Sequence, residues 1–306
     1  MARVMPFGAP CRGQYRLTAM DEGRWPGETE NHVVATLDNW GERCSAVILP
    51  ESDVKVWELR EQQIVFVTGR RRKEGAQEII DVQALYPLPV DLVENGALVL
   101  PGNECPPRAR EALARLVRLN EEIDPPALRD FLTRVLLDPT IGVPFMQAPA
   151  ACSYHHAYPG GLMVHSTEML DWARVLGHIV EPGFPLAPSL VQMGYLLHDL
   201  GKVDTIHGGP VLANAVQHEV QTFVRLGRHL AWLENQWPEG AQWLSVILGY
   251  CARSPKERRH DAWMGAQAVV FLDRLSTSRD CRGNRVPFRL PDPPGYEPKQ
   301  EDRDDE

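Results

Sequence analysis

Residues 12–86 alternate between apolar and polar positions with a period of two, which is the mark of half-buried strands. A first strand is expected near Arg12 to Thr18. In the next, Val33, Ala35 and Leu37 alternate with Val34, Thr36 and Asp38. Ser45 to Leu49 follows the turn Asn39-Trp40-Gly41. Gln63 to Thr68 is rich in β-branched and aromatic residues, and Glu78 to Leu85 alternates again. Short strands separated by turn residues predict a small barrel or sandwich.

The period then changes. Leu128, Phe131, Leu132, Val135 and Leu136 share one face of a helix. Further helical segments are expected near 108–121, 161–177, 188–200, 212–229, 240–251 and 261–277. Between the two regimes, residues 87–107 carry Pro87, Pro89, Pro101, Gly102, Pro106 and Pro107 and read as a linker. A short helix, Ser52 to Leu59, fits between the third and fourth strands. Five strands with a helix after the third is the layout of an OB-fold barrel. The expected organisation is a multidomain chain: a small all-β OB-fold over 1–86, a linker over 87–107, an all-α helical bundle over 108–285 and a disordered acidic tail over 286–306.

Composition narrows the class. Of the 306 residues, 43% are hydrophobic, enough to bury a sizeable core. The formal net charge of −9 argues against coating nucleic acid by bulk positive charge, though not against a local basic groove. Six cysteines, at 11, 44, 105, 152, 251 and 281, form no Cys-x-x-Cys motif and suit a reducing cytoplasm. The opening Met-Ala-Arg-Val-Met-Pro lacks the apolar core of a signal peptide. No apolar run approaches the roughly 20 residues that span a bilayer. A soluble cytoplasmic protein with no membrane partner is expected.

The chemistry lies in three separated strings: His155-His156-Ala-Tyr-Pro-Gly-Gly-Leu-Met-Val-His165, then His198-Asp199-Leu-Gly-Lys202, then Asp273 inside an apolar helical stretch. Imidazoles and carboxylates drawn from separate helices are what a divalent metal needs. A carboxylate after Ala268-Val269-Val270-Phe271-Leu272 is costly to bury unless a cation offsets it. Metal-assisted hydrolysis of a phosphate ester is the expected reaction.

His165, His198-Asp199 and Asp273 match the H…HD…D pattern of HD-domain metal-dependent phosphohydrolases. Residues 147–165 resemble the branch that holds the YhaM-type 3′-to-5′ exoribonucleases, in which an OB-fold precedes an HD domain. The HD-like region of TraI-type conjugation proteins carries a similar His-His-Ala-x-Pro-Gly-Gly-Leu string. The resemblance implies that His165, His198, Asp199 and Asp273 ligate a divalent metal such as Mn²⁺, Mg²⁺ or Fe²⁺. It implies that Lys202 stabilises charge on the phosphate, and that His155 and His156 lie at the cleft as phosphate contacts or proton donors. His218 matches a histidine that serves a second metal or the substrate in this branch; a surface histidine on an amphipathic helix is the other reading. A homo-oligomer is implied by analogy alone. One departure stands out: Val246 to Pro255 contains no histidine where the family carries one, which favours a one-metal centre. Cys251 in that stretch is read as a buried structural residue.

Arg70-Arg71-Arg72-Lys73 is expected in the loop between strands four and five, where it can track the phosphates of single-stranded RNA or DNA, with Trp40 and Tyr15 as stacking platforms. The expected function is a metal-dependent phosphodiesterase on single-stranded nucleic acid, resembling a 3′-to-5′ exoribonuclease. Two alternatives stay open: a nucleotide phosphohydrolase, and a non-catalytic nucleic-acid-binding accessory protein of a mobile or conjugative element.

Overall fold

A computed structural model describes residues 8–23, 32–48, 52, 54–74, 77–153, 155–206, 217–258 and 263–281. The acidic tail expected over 286–306 and the start of the helix expected at 212–229 lie outside these residues.

Five strands close into a barrel: β1 (Pro10–Gly23), β2 (His32–Asp38), β3 (Arg43–Ile48), β4 (Ile64–Glu74) and β5 (Gln77–Pro87). Their order around the barrel is β1-β2-β3-β5-β4. All neighbours are antiparallel except β3 and β5, which run parallel. This order is compatible with an OB-fold. The alternation read from sequence is the inside–outside alternation of the walls: Leu17, Ala35, Leu37, Ala46, Val65, Val67, Ile80 and Val82 fill the interior. The expected helix after β3 is a single 3₁₀ turn, Val56–Glu58.

The basic run is not in a loop. β4 continues to Glu74, so Arg70, Arg71, Arg72 and Lys73 are strand residues that alternate across the barrel wall. The cause is their pairing with β5, from Arg70 opposite Asp81 to Lys73 opposite Glu78.

Residues 87–107, proline-rich by composition, are folded against both neighbours. Asn95, Ala97, Val99, Leu100 and Cys105 are buried. Trp40 N–H donates to the Leu98 carbonyl at 2.9 Å and Gly102 N–H to that of Asn39 at 3.0 Å, tying the stretch to the barrel. Asn95 Nδ2 donates to the Val117 carbonyl and Gly96 N–H to Asn120 Oδ1, tying it to the first helix.

The rest is helical: α1 (Arg110–Glu122), α2 (Pro126–Leu137), α3 (Gly142–Gln147), α4 (Gly161–Thr167), α5 (Leu170–Val180), α6 (Ala187–Leu197), α7 (Lys202–Thr205), α8 (His218–Gln236), α9 (Pro238–Cys251) and α10 (Met264–Cys281). The long segment expected at 161–177 is two helices, broken at Glu168 and Met169. One core runs through the bundle, built on Leu116, Phe131, Phe145, Leu162, Leu190, Tyr195, Leu244 and Val269. α10 packs against α5, α6 and α9, which brings the far end of the chain beside α4 and α6. Among the described residues no helix is long and apolar enough to cross a membrane.

Candidate metal centre

The three strings meet. His165, on α4, His198 and Asp199, in the turn after α6, and Asp273, on α10, each offer a donor atom within 4.8 Å of the others. His165, His198 and Asp199 are buried; Asp273 is partly open. His165 Nε2 lies 3.2 Å from Asp199 Oδ2 and 3.4 Å from Asp273 Oδ1. His198 Nε2 lies 3.5 Å from each of the same two oxygens.

The fit to a cation rests on the imidazole nitrogens. His198 Nδ1 is 2.7 Å from the Tyr195 carbonyl, which can only accept, so that nitrogen carries the proton. In the neutral ring the lone pair then falls on Nε2. Both His165 Nε2 and His198 Nε2 are buried and make no hydrogen bond. A buried polar atom without a partner is costly. Two of them converging with two carboxylates is the donor set of a divalent metal, and the residues fit one. Burial by itself would lower His165 and His198 and raise Asp199 and Asp273. Mutual attraction outweighs it: the imidazoles are raised above their ordinary pKa and both carboxyls lie below the carboxylate range.

The Pro-Gly-Gly string has a geometric reason. Gly160 sits at φ +79°, a left-handed conformation in which a side chain is strained. A Cβ on Gly161 would come within 2.0 Å of the His156 carbonyl oxygen. The chain must therefore pass close to itself as it enters α4, and that entry angle aims His165 at the cluster.

Lys202 Nζ is 2.5 Å from Asp199 Oδ2. His218, the first residue of α8, is not one of the four converging donors but touches one of them. Its Nε2 is 3.0 Å from Asp199 Oδ1, and it is about one third exposed. α8 is held there by Thr222, whose hydroxyl receives the Gly201 N–H at 2.9 Å and lies 3.2 Å from the His198 carbonyl. His155 and His156 form a second group with His165 and Glu168. His155 Nε2 is 3.0 Å from His165 Nδ1, and His156 Nε2 is 3.3 Å from Glu168 Oε1. Ser276 Oγ lies 3.1 Å from both His155 Nε2 and His165 Nδ1, and makes a short bond to Glu168. Burial would raise the Glu168 carboxyl, but His156, His165 and Ser276 hold it below the carboxylate range. Cys251 is buried in the core.

Glu168 and Ser276 were not among the residues expected from sequence. Their signal is a repeated spacing: Glu168 follows His165 by three residues and Ser276 follows Asp273 by three. Residues three apart share a helix face, so two helices meet through two crossed pairs.

On the barrel, the expected nucleic-acid contacts divide. Tyr15 faces the interior, where its hydroxyl donates to Glu42 at 2.7 Å, so its ring is core and not a stacking surface. Arg71 is buried and grips Glu42 with both Nη atoms, at 2.7 and 2.5 Å. Arg72 is paired with Asp81 and Glu74. Arg70 and Lys73 are exposed, and Trp40 is 42% exposed. An unexpected aromatic surface lies on the outer wall: Phe66 and exposed Tyr86 stack with centroids 5.5 Å apart, and the Arg12 guanidinium stands 5.1 Å from the Phe66 ring centre.

Compared with known proteins, the chain matches no family model and no solved structure.

Proposed function

We propose that this chain is a metal-dependent phosphodiesterase of the HD-domain kind, acting on single-stranded nucleic acid as a 3′-to-5′ exoribonuclease does. The observation that carries the reading is the convergence, at one point, of two carboxylates with two buried imidazole nitrogens that make no hydrogen bond. His165, His198, Asp199 and Asp273 would hold a divalent cation, Mn²⁺, Mg²⁺ or Fe²⁺. When bound, the cation supplies Lewis acidity for a phosphoryl oxygen and for water.

The chain's own residues supply the rest. The Lys202 ammonium, beside Asp199, would stabilise negative charge that grows on the phosphate. His218, partly exposed and aligned by Asp199 Oδ1, would hold a proton for the departing oxygen. The barrel would hold the strand through Arg70, Lys73 and stacking on Trp40 and Tyr86, with weak, salt-sensitive affinity.

A second reading, hydrolysis of a small nucleotide, is favoured by one specific observation: the two central arginines of the basic run are already paired within the barrel. End-labelled single-stranded RNA and DNA, beside free nucleotides, test both with Mn²⁺ or Mg²⁺. A ladder of shortened strands that disappears in Asp199→Ala is the expected result. Turnover of nucleotides alone moves the function to the second reading. Strand binding without turnover of either removes the enzyme reading and leaves an accessory protein.

A further inference from the structure

We infer that Ser276 and Glu168, together with His155 and His156, are positioning residues that hold His165 in the Nδ1–H tautomer, so that its Nε2 presents a lone pair to Asp199, Asp273 and His198. This rests on reading the four-donor cluster as a metal centre. It also gives the His-His pair a role different from substrate contact.

The assignment follows from counting protons. An ionised carboxylate only accepts. Glu168 Oε1 faces the Ser276 hydroxyl in a short bond and His156 Nε2 at 3.3 Å, so both donate to it. His156 Nδ1 is then the acceptor, and the Tyr158 hydroxyl donates to it at 2.8 Å. The Ser276 hydroxyl has a single proton, and Glu168 takes it. Only oxygen lone pairs remain to face His165 Nδ1 and His155 Nε2, each 3.1 Å away. Both nitrogens therefore donate to Ser276, and their 3.0 Å approach to each other follows from that shared acceptor. With Nδ1 protonated, the neutral His165 ring carries its lone pair on Nε2.

Ser276 decides the outcome because a competing arrangement exists. Without the hydroxyl, His155 Nε2–H can donate directly to His165 Nδ1. The His165 proton then moves to Nε2, where it points at Asp199 and Asp273 and blocks ligation. Ser276 is 1% exposed, so bulk water does not readily replace the lost hydroxyl. Partners that orient a metal-ligating histidine are typically worth about 10–100-fold in metal affinity.

The test is Zn²⁺ affinity, measured by competition with a chromogenic chelator, for the full chain and for Ser276→Ala and Ser276→Thr. The expected result is a loss on the order of 10–100-fold in Ser276→Ala, with recovery in Ser276→Thr, which keeps the hydroxyl. Equal Zn²⁺ affinity in all three overturns the proposal while leaving the metal centre standing. Failure of the unaltered chain to bind Zn²⁺, Mn²⁺ or Fe²⁺ overturns the metal reading itself. Ring ¹⁵N NMR of the unaltered, Zn²⁺-loaded chain decides the matter even if Ser276→Ala does not fold. A protonated His165 Nδ1 supports the assignment, and a protonated Nε2 sinks it.

Discussion

In the barrel, Arg71 is surrounded by partners: both oxygens of Glu42, the Tyr15 hydroxyl and Glu78. In the helical cleft, His165 and His198 each have one nitrogen hydrogen-bonded and the other buried among two carboxylates without a hydrogen bond. Both regions bury charge-bearing side chains, yet Arg71 spends both Nη atoms on partners and leaves only Nε without a hydrogen bond, while the cleft leaves two imidazole nitrogens without one at a single point. A closed network stabilises its own fold and has little left for a ligand. An open one carries a cost that a cation can offset. The kind of residue does not separate these cases; the bonding of each atom does.

That contrast can be broken in several ways, the largest first. If the proposed hydrolysis takes place, His198→Ala should cut it on the order of 1,000-fold or more, since several kcal/mol of transition-state stabilisation would leave with the cation. Metal analysis of the purified variant should find the metal gone, and retained metal with full turnover would remove His198 from the centre. Arg71→Ala should leave metal content alone and destabilise the fold by about 2 kcal/mol, because it strands the half-buried Glu42 carboxylate and the Tyr15 hydroxyl beside it. Chemical denaturation measures this, and an unchanged midpoint would mean that the barrel network is not closed.

Asp138 shows that closure is not confined to the barrel. It lies in the helical region, accepts from His229 and the Thr140 backbone, and pairs with Arg228. Burial would raise its carboxyl, but these donors lower it to about 2 from an ordinary 3.8. The folded pKa is the lower one, so the stabilisation is full above about pH 4 and fades as pH falls through about 2. Asp138→Asn should cost roughly 2 kcal/mol at neutral pH, and the two unfolding curves should converge towards pH 2. A gap that persists in acid would assign the loss to packing. Lys73→Ala should do least: less than about 0.5 kcal/mol in stability and, if the barrel binds a strand, a salt slope shallower by about one. Anisotropy of a labelled oligonucleotide across a salt series reads it, and an unchanged slope would remove Lys73 from the interface.

The chain showed its four donors in advance because each sits in a string whose composition is hard to explain by packing. His198-Asp199 ends an apolar helix, and Asp273 interrupts one. The strands were legible from their alternation. The fate of the basic run was not: Glu42 stands 29 residues before Arg71, and only barrel closure brings them together. Tyr15 reads the same whether its strand turns it inward or outward. Proline content suggested a linker over 87–107, but Ala97-Leu98-Val99-Leu100 is an apolar run that the fold uses to cover the barrel and α1. Ser276 was invisible because a lone serine in a helix carries no chemistry until its neighbours are known.

The crossed pairs on α4 and α10 set a limit on how this sequence can change. His165 on α4 and Glu168 at its C-terminal cap face Asp273 and Ser276 on α10. An α-helix turns about 100° per residue, so deleting one residue between Met264 and Leu272 would swing both Asp273 and Ser276 off the seam at once. Substitutions along the same stretch leave the angular positions untouched. The site should therefore tolerate drift in composition along α10 far better than drift in length, and its ancestry would be written in conserved spacing even where the letters between have changed.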